Sequence, residues 1–122
     1  MHTIRQQCAQ HQNWKVAQSN PCFEVWLYFH AKSQLPDIDR IDQCSSWKPY
    51  LPKVIKGGFN HDYHPVSIET ATRNSKASYQ ETGYFPDVGS TQLWQLAEEL
   101  LPLIKIELEK LKNRFPAPEI IG

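Results

Sequence analysis

The segment from Ser19 to His30, SNPCFEVWLYFH, decides how this chain folds. Ser19 or Asn20 suits the N-cap of a helix, and Pro21 suits its first position because the missing N–H would be unpaired there. Nearly every later position is apolar, so hydrophobic side chains occupy almost the whole circumference of the predicted helix. A helix that is apolar all round is typical of the centre of a core.

The one carboxylate of this segment, Glu24, lies in the first turn of the predicted helix. Burying a lone carboxylate is costly unless it is paired, hydrogen-bonded, neutralised or bound to a metal. Glu24 therefore either turns toward solvent, where the helix dipole favours it, or has a partner. That choice separates a structural interpretation of the protein from a catalytic one.

The remaining apolar spacing predicts two more helices, one over residues 65–79 and a longer one from 90 or 91 to about 114. Pro102 is expected to bend the longer helix. The sequence also predicts short helical turns within 41–47 and 50–55, a loop at 83–89 and a loose tail at 116–122. The sequence thus predicts one mainly α domain, 1–122, with four or five helices and one or two short strands.

Residues 14–18 are predicted to form a short strand that stands apart from the helices. A single strand leaves its backbone donors and acceptors without a ladder. Three explanations remain open at this point. The segment pairs with another chain, it is not a strand, or the rest of its sheet is missing from this chain.

Charge and cysteine content exclude several classes of protein. Thirteen basic and thirteen acidic residues cancel, so the overall charge favours neither nucleic acid nor an anionic membrane surface. Cys8, Cys22 and Cys44 lack the spacing of a zinc motif, and Cys22 is interpreted as a small buried hydrophobe. Without a signal peptide or an apolar run of about 20 residues, the chain is expected to be cytoplasmic, with reduced thiols and no membrane association.

Three other groups imitate functional sites and also have ordinary explanations. The aspartates within 37–42 resemble a metal motif, but they suit helix caps. Residues 61–64, HDYH, offer two imidazoles and a carboxylate to a metal, and they equally suit a polar loop before Pro65. Trp47 lies in a predicted loop as the aromatic residue expected to be exposed, where it would stack on a base or cover a partner.

The segment 19–30 resembles the signature of the RloB-like family, also described as AbiLii-type abortive-infection proteins. Three downstream pieces agree with that family in order: 53–59 (KVIKGGF), 68–75 (IETATRNS) and 89–94 (GSTQLW). The resemblance extends over residues 14–105.

That resemblance implies a Toprim-like fold related to the OLD nucleases and a role in bacterial anti-phage defence. The chain resembles only the C-terminal part of such a domain, an α/β fragment, because the family's N-terminal glutamate and Asp-x-Asp motifs are missing from it. Those carboxylates bind divalent metal for phosphoryl transfer. On this resemblance Glu24 is the retained metal ligand and catalytic carboxylate. Lys56, beside Gly57-Gly58, is a candidate phosphate contact, and a solvated turn is the alternative explanation of this segment. Mg²⁺ or Mn²⁺ is expected in the complete family, and no cofactor is expected for this chain alone.

The expected function is therefore the C-terminal part of a metal-dependent Toprim-type nuclease that is not catalytic alone, with nucleic acid as a candidate partner. The alternative is a non-enzymatic interaction or oligomerisation module, in which a second copy or another subunit supplies the missing sheet. Metal-dependent cleavage that disappears in Glu24→Gln would favour the nuclease. A metal-silent protein that self-associates through 14–18 would favour the module.

Overall fold

The computed structural model describes residues 16–115 and 117–121, and within them the protein is mainly helical. The α-helices are α1 Glu24–Phe29, α2 Cys44–Trp47, α3 Leu51–Val54, α4 Ile68–Ala77 and α5 Leu93–Arg114, with a 3₁₀ helix at His64–Ser67. Two short strands, β1 Glu81–Thr82 and β2 Phe85–Pro86, form an antiparallel pair. The predicted class, a mainly α fold with one or two short strands, is confirmed.

Helix α1 forms the centre of the core, as its apolar circumference predicts. All five of its residues after Glu24 are buried, and Val25 and Phe29 are wholly inaccessible to solvent. Helices α3 and α4 and the Trp47 side chain pack around it. Because α1 has neighbours on every side, only its two ends reach the surface, and Glu24 lies at one of them.

The predicted cap of α1 is wrong. The helix begins at Glu24 with Phe23 at the N-cap, and no side chain caps it. Ser19 and Asn20 are engaged elsewhere: the Ser19 hydroxyl lies 2.7 Å from the Thr91 hydroxyl, and Asn20 Nδ2 donates to the Pro86 carbonyl at 3.0 Å. The two side chains that the local sequence favours as helix caps therefore form long-range hydrogen bonds instead of capping α1.

The segment that precedes α1 pairs within the chain. Residues 16–18 are not a strand, and Ser19 forms an isolated antiparallel bridge with Thr91. Asn20 N–H donates to the Ser90 carbonyl at 3.0 Å, and Gly89 N–H donates to the Asn20 carbonyl at 2.8 Å. Residues 14 and 15 lie outside the described residues. From 18 to 20, the backbone therefore pairs with 89–92 of the same chain.

The expected loop at 83–89 contains part of a hairpin. Strands β1 and β2 are joined by Gly83 and Tyr84, whose φ angles of 56° and 69° are both positive. Two consecutive residues with positive φ suit a tight turn between antiparallel strands, and glycine takes such a φ at little cost.

Helix α4 follows the prediction for residues 65–79, except that its first turn is the 3₁₀ helix. Its small side chains Ala71, Thr72 and Ser75 are buried. The Ser75 hydroxyl donates to the Ala71 carbonyl at 2.6 Å, so this polar group is satisfied inside the helix. On the same helix, Asn74 Nδ2 donates to the Phe29 carbonyl at 3.0 Å and so satisfies a carbonyl at the end of α1.

Helix α5 begins at Leu93, two or three residues later than predicted, and ends at Arg114 as predicted, but much of its apolar surface remains exposed. Pro102 lies inside the helix, and only Ala97 and Leu108 are buried. Leu103 and Ile106 are 82% and 73% exposed. Leu100 is 44% exposed as well, because α4 and the 3₁₀ helix cover only one side of α5.

Two further expectations differ from the structure. Trp47 is fully buried, with its indole N–H donating to the Ile41 carbonyl at 2.7 Å and its ring edge-on to Tyr28. The tail is attached by backbone hydrogen bonds, from Lys56 N–H to the Glu119 carbonyl and from Ile121 N–H to the Val54 carbonyl. None of the helices in the described part of the chain combines the length and the apolar character needed to cross a membrane.

Candidate metal centre

Glu24 lies at the exposed end of the core helix with its carboxylate turned toward a thiol. The residue is half-buried in the first turn of α1. The Cys44 thiol, at the start of α2, donates to Glu24 Oε2 at 3.9 Å. Among the described residues no lysine, arginine or histidine forms an ion pair with this carboxylate. Glu24 is therefore a partly desolvated charge whose neighbour is a weak donor.

A second thiol completes the cluster. Cys22 precedes Glu24 by two residues and packs against the core. One ligand atom from each of Cys22, Glu24 and Cys44 lies within 4.8 Å of the others, and all three residues are partly buried. It is the one such cluster of three among the residues that the structure describes. Both cysteines are free thiols.

The thiol of Cys22 is held in its protonated form in the metal-free protein. Burial, reinforced by its hydrogen bond with Cys44 and by the negative charge of Glu24, raises the pKa of Cys22 to about 12. A thiol with such a high pKa is a poor nucleophile at neutral pH. Cys22 is therefore unsuited to nucleophilic catalysis, whereas a divalent cation would replace its thiol proton.

The sequence identified one of the three residues. Glu24 was predicted as a metal ligand, and the structure gives it two neighbours that can also bind a metal. Cys22 packs on the core as predicted, but it also faces this cluster. Cys44 lies 22 positions further on and forms no close C-x2–4-C pair with Cys22, so the packing of α2 on α1 brings the two together.

Lys56, the predicted phosphate contact, forms an ion pair with a residue other than Glu24. Its side chain is 71% exposed and forms an ion pair with Glu119 at 3.6 Å. It follows α3, where the backbone of 54–56 hydrogen-bonds with 119–121. Its role in phosphate binding stays a prediction.

The other candidate groups do not form a metal cluster among the described residues. In the acidic run, Asp42 lies 3.9 Å from Arg40, and both side chains are largely exposed. His64 is buried at the start of the 3₁₀ helix, where its Nδ1 accepts the Asn60 N–H at 2.8 Å. The polar-loop explanation of 61–64 agrees with this contact, whereas the predicted cap is wrong: the helix after the acidic run, α2, has Gln43 at its N-cap and no side-chain cap.

A groove of about 1040 Å³ runs between α4 and α5. Leu101, Pro102 and Leu108 supply apolar lining. Arg73, Lys76 and Lys105 contribute positive charge, and Glu69, Glu98 and Glu109 contribute an equal number of carboxylates. Lys76 pairs with Glu98 at 2.6 Å, so the charges cancel locally. A nucleic-acid interface needs a net positive surface, and this groove does not offer one.

The described chain is thus a helical protein whose buried central helix presents a candidate metal-binding carboxylate between two thiols. A family model for RloB-like proteins matches residues 1–100, and the chain belongs to that family. The match covers most of the chain, including the signature segment 19–30 and residues before it. No curated protein and no solved structure matches the chain.

Proposed function

We propose that this RloB-like chain acts in bacterial anti-phage defence as the helical part of a metal-dependent, Toprim-type nuclease assembly, and that it does not cleave nucleic acid alone. One observation carries the second half of this proposal: the ligand atoms nearest the Glu24 carboxylate are two thiols. The defence role and the Toprim relationship follow from what family membership implies.

The chemistry of phosphoryl transfer explains why that observation matters. Mg²⁺ and Mn²⁺ prefer oxygen ligands, and a nuclease centre uses several carboxylates to hold ions beside the attacking and leaving oxygens. Glu24 supplies one carboxylate, and no second acidic residue joins it in the cluster. The remaining oxygen ligands of a catalytic centre would lie on another polypeptide or outside the described residues.

Cleavage assays with the purified chain test this proposal. DNA and RNA substrates are incubated with Mg²⁺ or Mn²⁺, alongside a phage-infection assay in cells that carry the whole defence locus. We expect no cleavage by the chain alone, and loss of protection when the chain is deleted from the locus. Cleavage by the native chain that Glu24→Gln abolishes and Glu107→Gln leaves intact would overturn the proposal, since the chain would then be a nuclease itself.

A second candidate is a non-enzymatic module that self-associates, and a different observation favours it. Leu103 and Ile106, three residues apart on α5, expose most of their apolar surface. Neighbouring exposed apolar residues on a long helix are typical of an interface with another helix. Self-association of this chain through α5 would bury them.

A further inference from the structure

We propose that Cys22, Glu24 and Cys44 form a site for a thiophilic divalent cation, specifically Zn²⁺. The two sulfurs and one carboxylate oxygen would occupy three corners of a tetrahedron, and a water molecule would occupy the fourth. This inference concerns the chain by itself and does not depend on the proposed nuclease assembly.

The distances in the cluster fit such a site closely. With zinc–sulfur bonds of about 2.3 Å and a zinc–oxygen bond of about 2.0 Å, tetrahedral geometry places two sulfurs about 3.8 Å apart and a sulfur and an oxygen about 3.5 Å apart. In the structure Cys44 Sγ and Glu24 Oε2 are 3.9 Å apart, and all three ligand atoms lie within 4.8 Å of one another. A contraction of about 1 Å or less therefore brings them to bonding geometry, within the reach of side-chain rotation.

The ligand set selects the ion. Thiolates favour Zn²⁺ over Mg²⁺ and Mn²⁺, which prefer oxygen donors. On binding, each thiol loses its proton to solvent, two sulfur–zinc bonds and one oxygen–zinc bond form, and the bound site carries a net charge of −1. No electron is transferred. A Cys22–Cys44 disulfide, by contrast, requires an oxidant, and binding of zinc by the reduced protein distinguishes the two.

The cluster lies between the N-terminal ends of two helices, α1 and α2. Glu24 is in the first turn of α1, Cys22 precedes that turn, and Cys44 begins α2. Neither α1 nor α2 has a side-chain cap at its N-terminus. A zinc ion would therefore fix the starts of both helices to each other and raise the midpoint of thermal unfolding by mass action.

The test uses the reduced full-length chain after chelation, titrated with Zn²⁺ against a chromophoric chelator and with Co²⁺ as a spectroscopic substitute. We expect one ion per chain, a thiolate-to-cobalt charge-transfer band, and a higher unfolding midpoint with zinc. Cys22→Ser or Cys44→Ser should weaken zinc binding by about 100-fold or more, and Glu24→Gln by about 10-fold. Glu107→Gln, at an exposed position on α5 outside the cluster, is the control and should bind zinc as the native chain does.

Several outcomes would overturn the inference. The native reduced chain binds no stoichiometric zinc, its cobalt complex lacks a thiolate band, or zinc affinity survives in both cysteine variants. Because the native chain alone gives the first two results, the test holds even where a variant fails to fold. The zinc site and the nuclease assembly are tested separately. The result of the cleavage assay does not bear on zinc binding, and zinc binding does not bear on whether the chain cleaves nucleic acid.

Discussion

Gln18 and Gln92, 74 positions apart, are joined by two hydrogen bonds that run in opposite directions. Gln18 N–H donates to Gln92 Oε1 at 3.2 Å, and Gln92 N–H donates to the Gln18 carbonyl at 2.8 Å. The same Gln92 amide group donates through Nε2 to the Tyr84 carbonyl at 2.7 Å. Both glutamines are 3% exposed. One buried side chain thus ties the entry to α1, the β1–β2 turn and the start of α5 together.

Replacing Gln92 with alanine should therefore be strongly destabilising. The substitution leaves the buried Gln18 N–H without this partner, and an unsatisfied buried group costs about 1–3 kcal/mol. The Tyr84 carbonyl also loses its donor, but Tyr84 is 76% exposed and water can replace it. We expect a loss of about 2 kcal/mol in the free energy of unfolding, measured by urea denaturation. Gln95→Ala, at an exposed position in the next turn, should change it by less than about 0.5 kcal/mol. Similar losses for the two variants would contradict the assignment.

This network also shows where sequence reasoning succeeds and where it stops. The core position of α1 and the approximate extents of α4 and α5 follow from apolar periodicity, a local property of the chain. Ser19 and Asn20 are good caps by type, but they serve a segment some 70 positions away, at 86–91. A local rule cannot anticipate a competing partner that only the fold supplies.

The residues of the candidate site differ in the same way: one is conspicuous in the sequence, and another is brought into place only by the fold. Glu24 is conspicuous because a carboxylate interrupts an apolar helix, and that anomaly is visible in the sequence. Nothing in the sequence around Cys44 distinguishes it as a ligand. Trp47 was predicted to be exposed because a lysine and prolines follow it, yet it is buried. Both residues are placed by the packing of α2 against α1. Long-range packing of a short, irregular segment is the information that the sequence lacks.

Gly89 and Gly57 provide a matched pair for measuring a steric contact. Both have positive φ, 84° and 77°, so alanine at either position is strained by about 1 kcal/mol. An added Cβ at Gly89 would lie 2.6 Å from Leu35 Cδ2, whereas one at Gly57 meets nothing within 4 Å. We expect Gly89→Ala to cost about 1 kcal/mol more than Gly57→Ala in the free energy of unfolding.

Leu35 supplies the control for that difference. It is 49% exposed and its side chain ends at the contact, so truncating it relieves the clash without opening the core. In a double-mutant cycle, Leu35→Ala should remove most of the extra cost of Gly89→Ala and leave that of Gly57→Ala unchanged. Additive effects of Leu35→Ala and Gly89→Ala would show that the steric contact does not carry the difference.

His30 should make the stability of the protein depend on pH below neutrality. It is 5% exposed, its Nδ1 lies 3.0 Å from the Trp26 carbonyl, and the Phe59 ring packs edge-on against it. Burial, opposed in part by hydrogen bonds to the Trp26 and Leu27 carbonyls, lowers the pKa of His30 to about 4. The pKa of nearby His64 is also lowered by burial.

The sign follows from which state binds the proton. Between the unfolded pKa of about 6.5 and the folded pKa of about 4, the unfolded chain protonates His30 and the folded chain does not. This contribution to stability is complete above pH 6.5 and falls by about 3 kcal/mol as the pH drops to 4. Urea denaturation across that range should show a smaller slope in His30→Phe, the remainder coming partly from His64. His61→Gln, at an exposed site, should keep the native slope. A His30→Phe slope equal to the native one would refute this role.

Self-association through α5 is open to a direct test, because its apolar residues are exposed on a well-formed helix. Lysine is a good helix former, so Leu103→Lys combined with Ile106→Lys should leave the fold intact while placing two charges on this surface. We expect light scattering over a range of concentrations to show a native assembly larger than one chain and a monomeric double variant. Burying the introduced charges against a second copy would be prohibitive.

The control for added charge is the pair Gln95→Lys and Asn113→Lys, two exposed polar positions on the same helix that change the net charge equally. If α5 associates through Leu103 and Ile106, this control keeps the native assembly. If general repulsion between like-charged chains is responsible, both double variants dissociate together and both recover at high salt, because exposed charges are screened over about 10 Å at 0.1 M ionic strength. A native chain that is monomeric at every concentration would exclude self-association and leave α5 without this role.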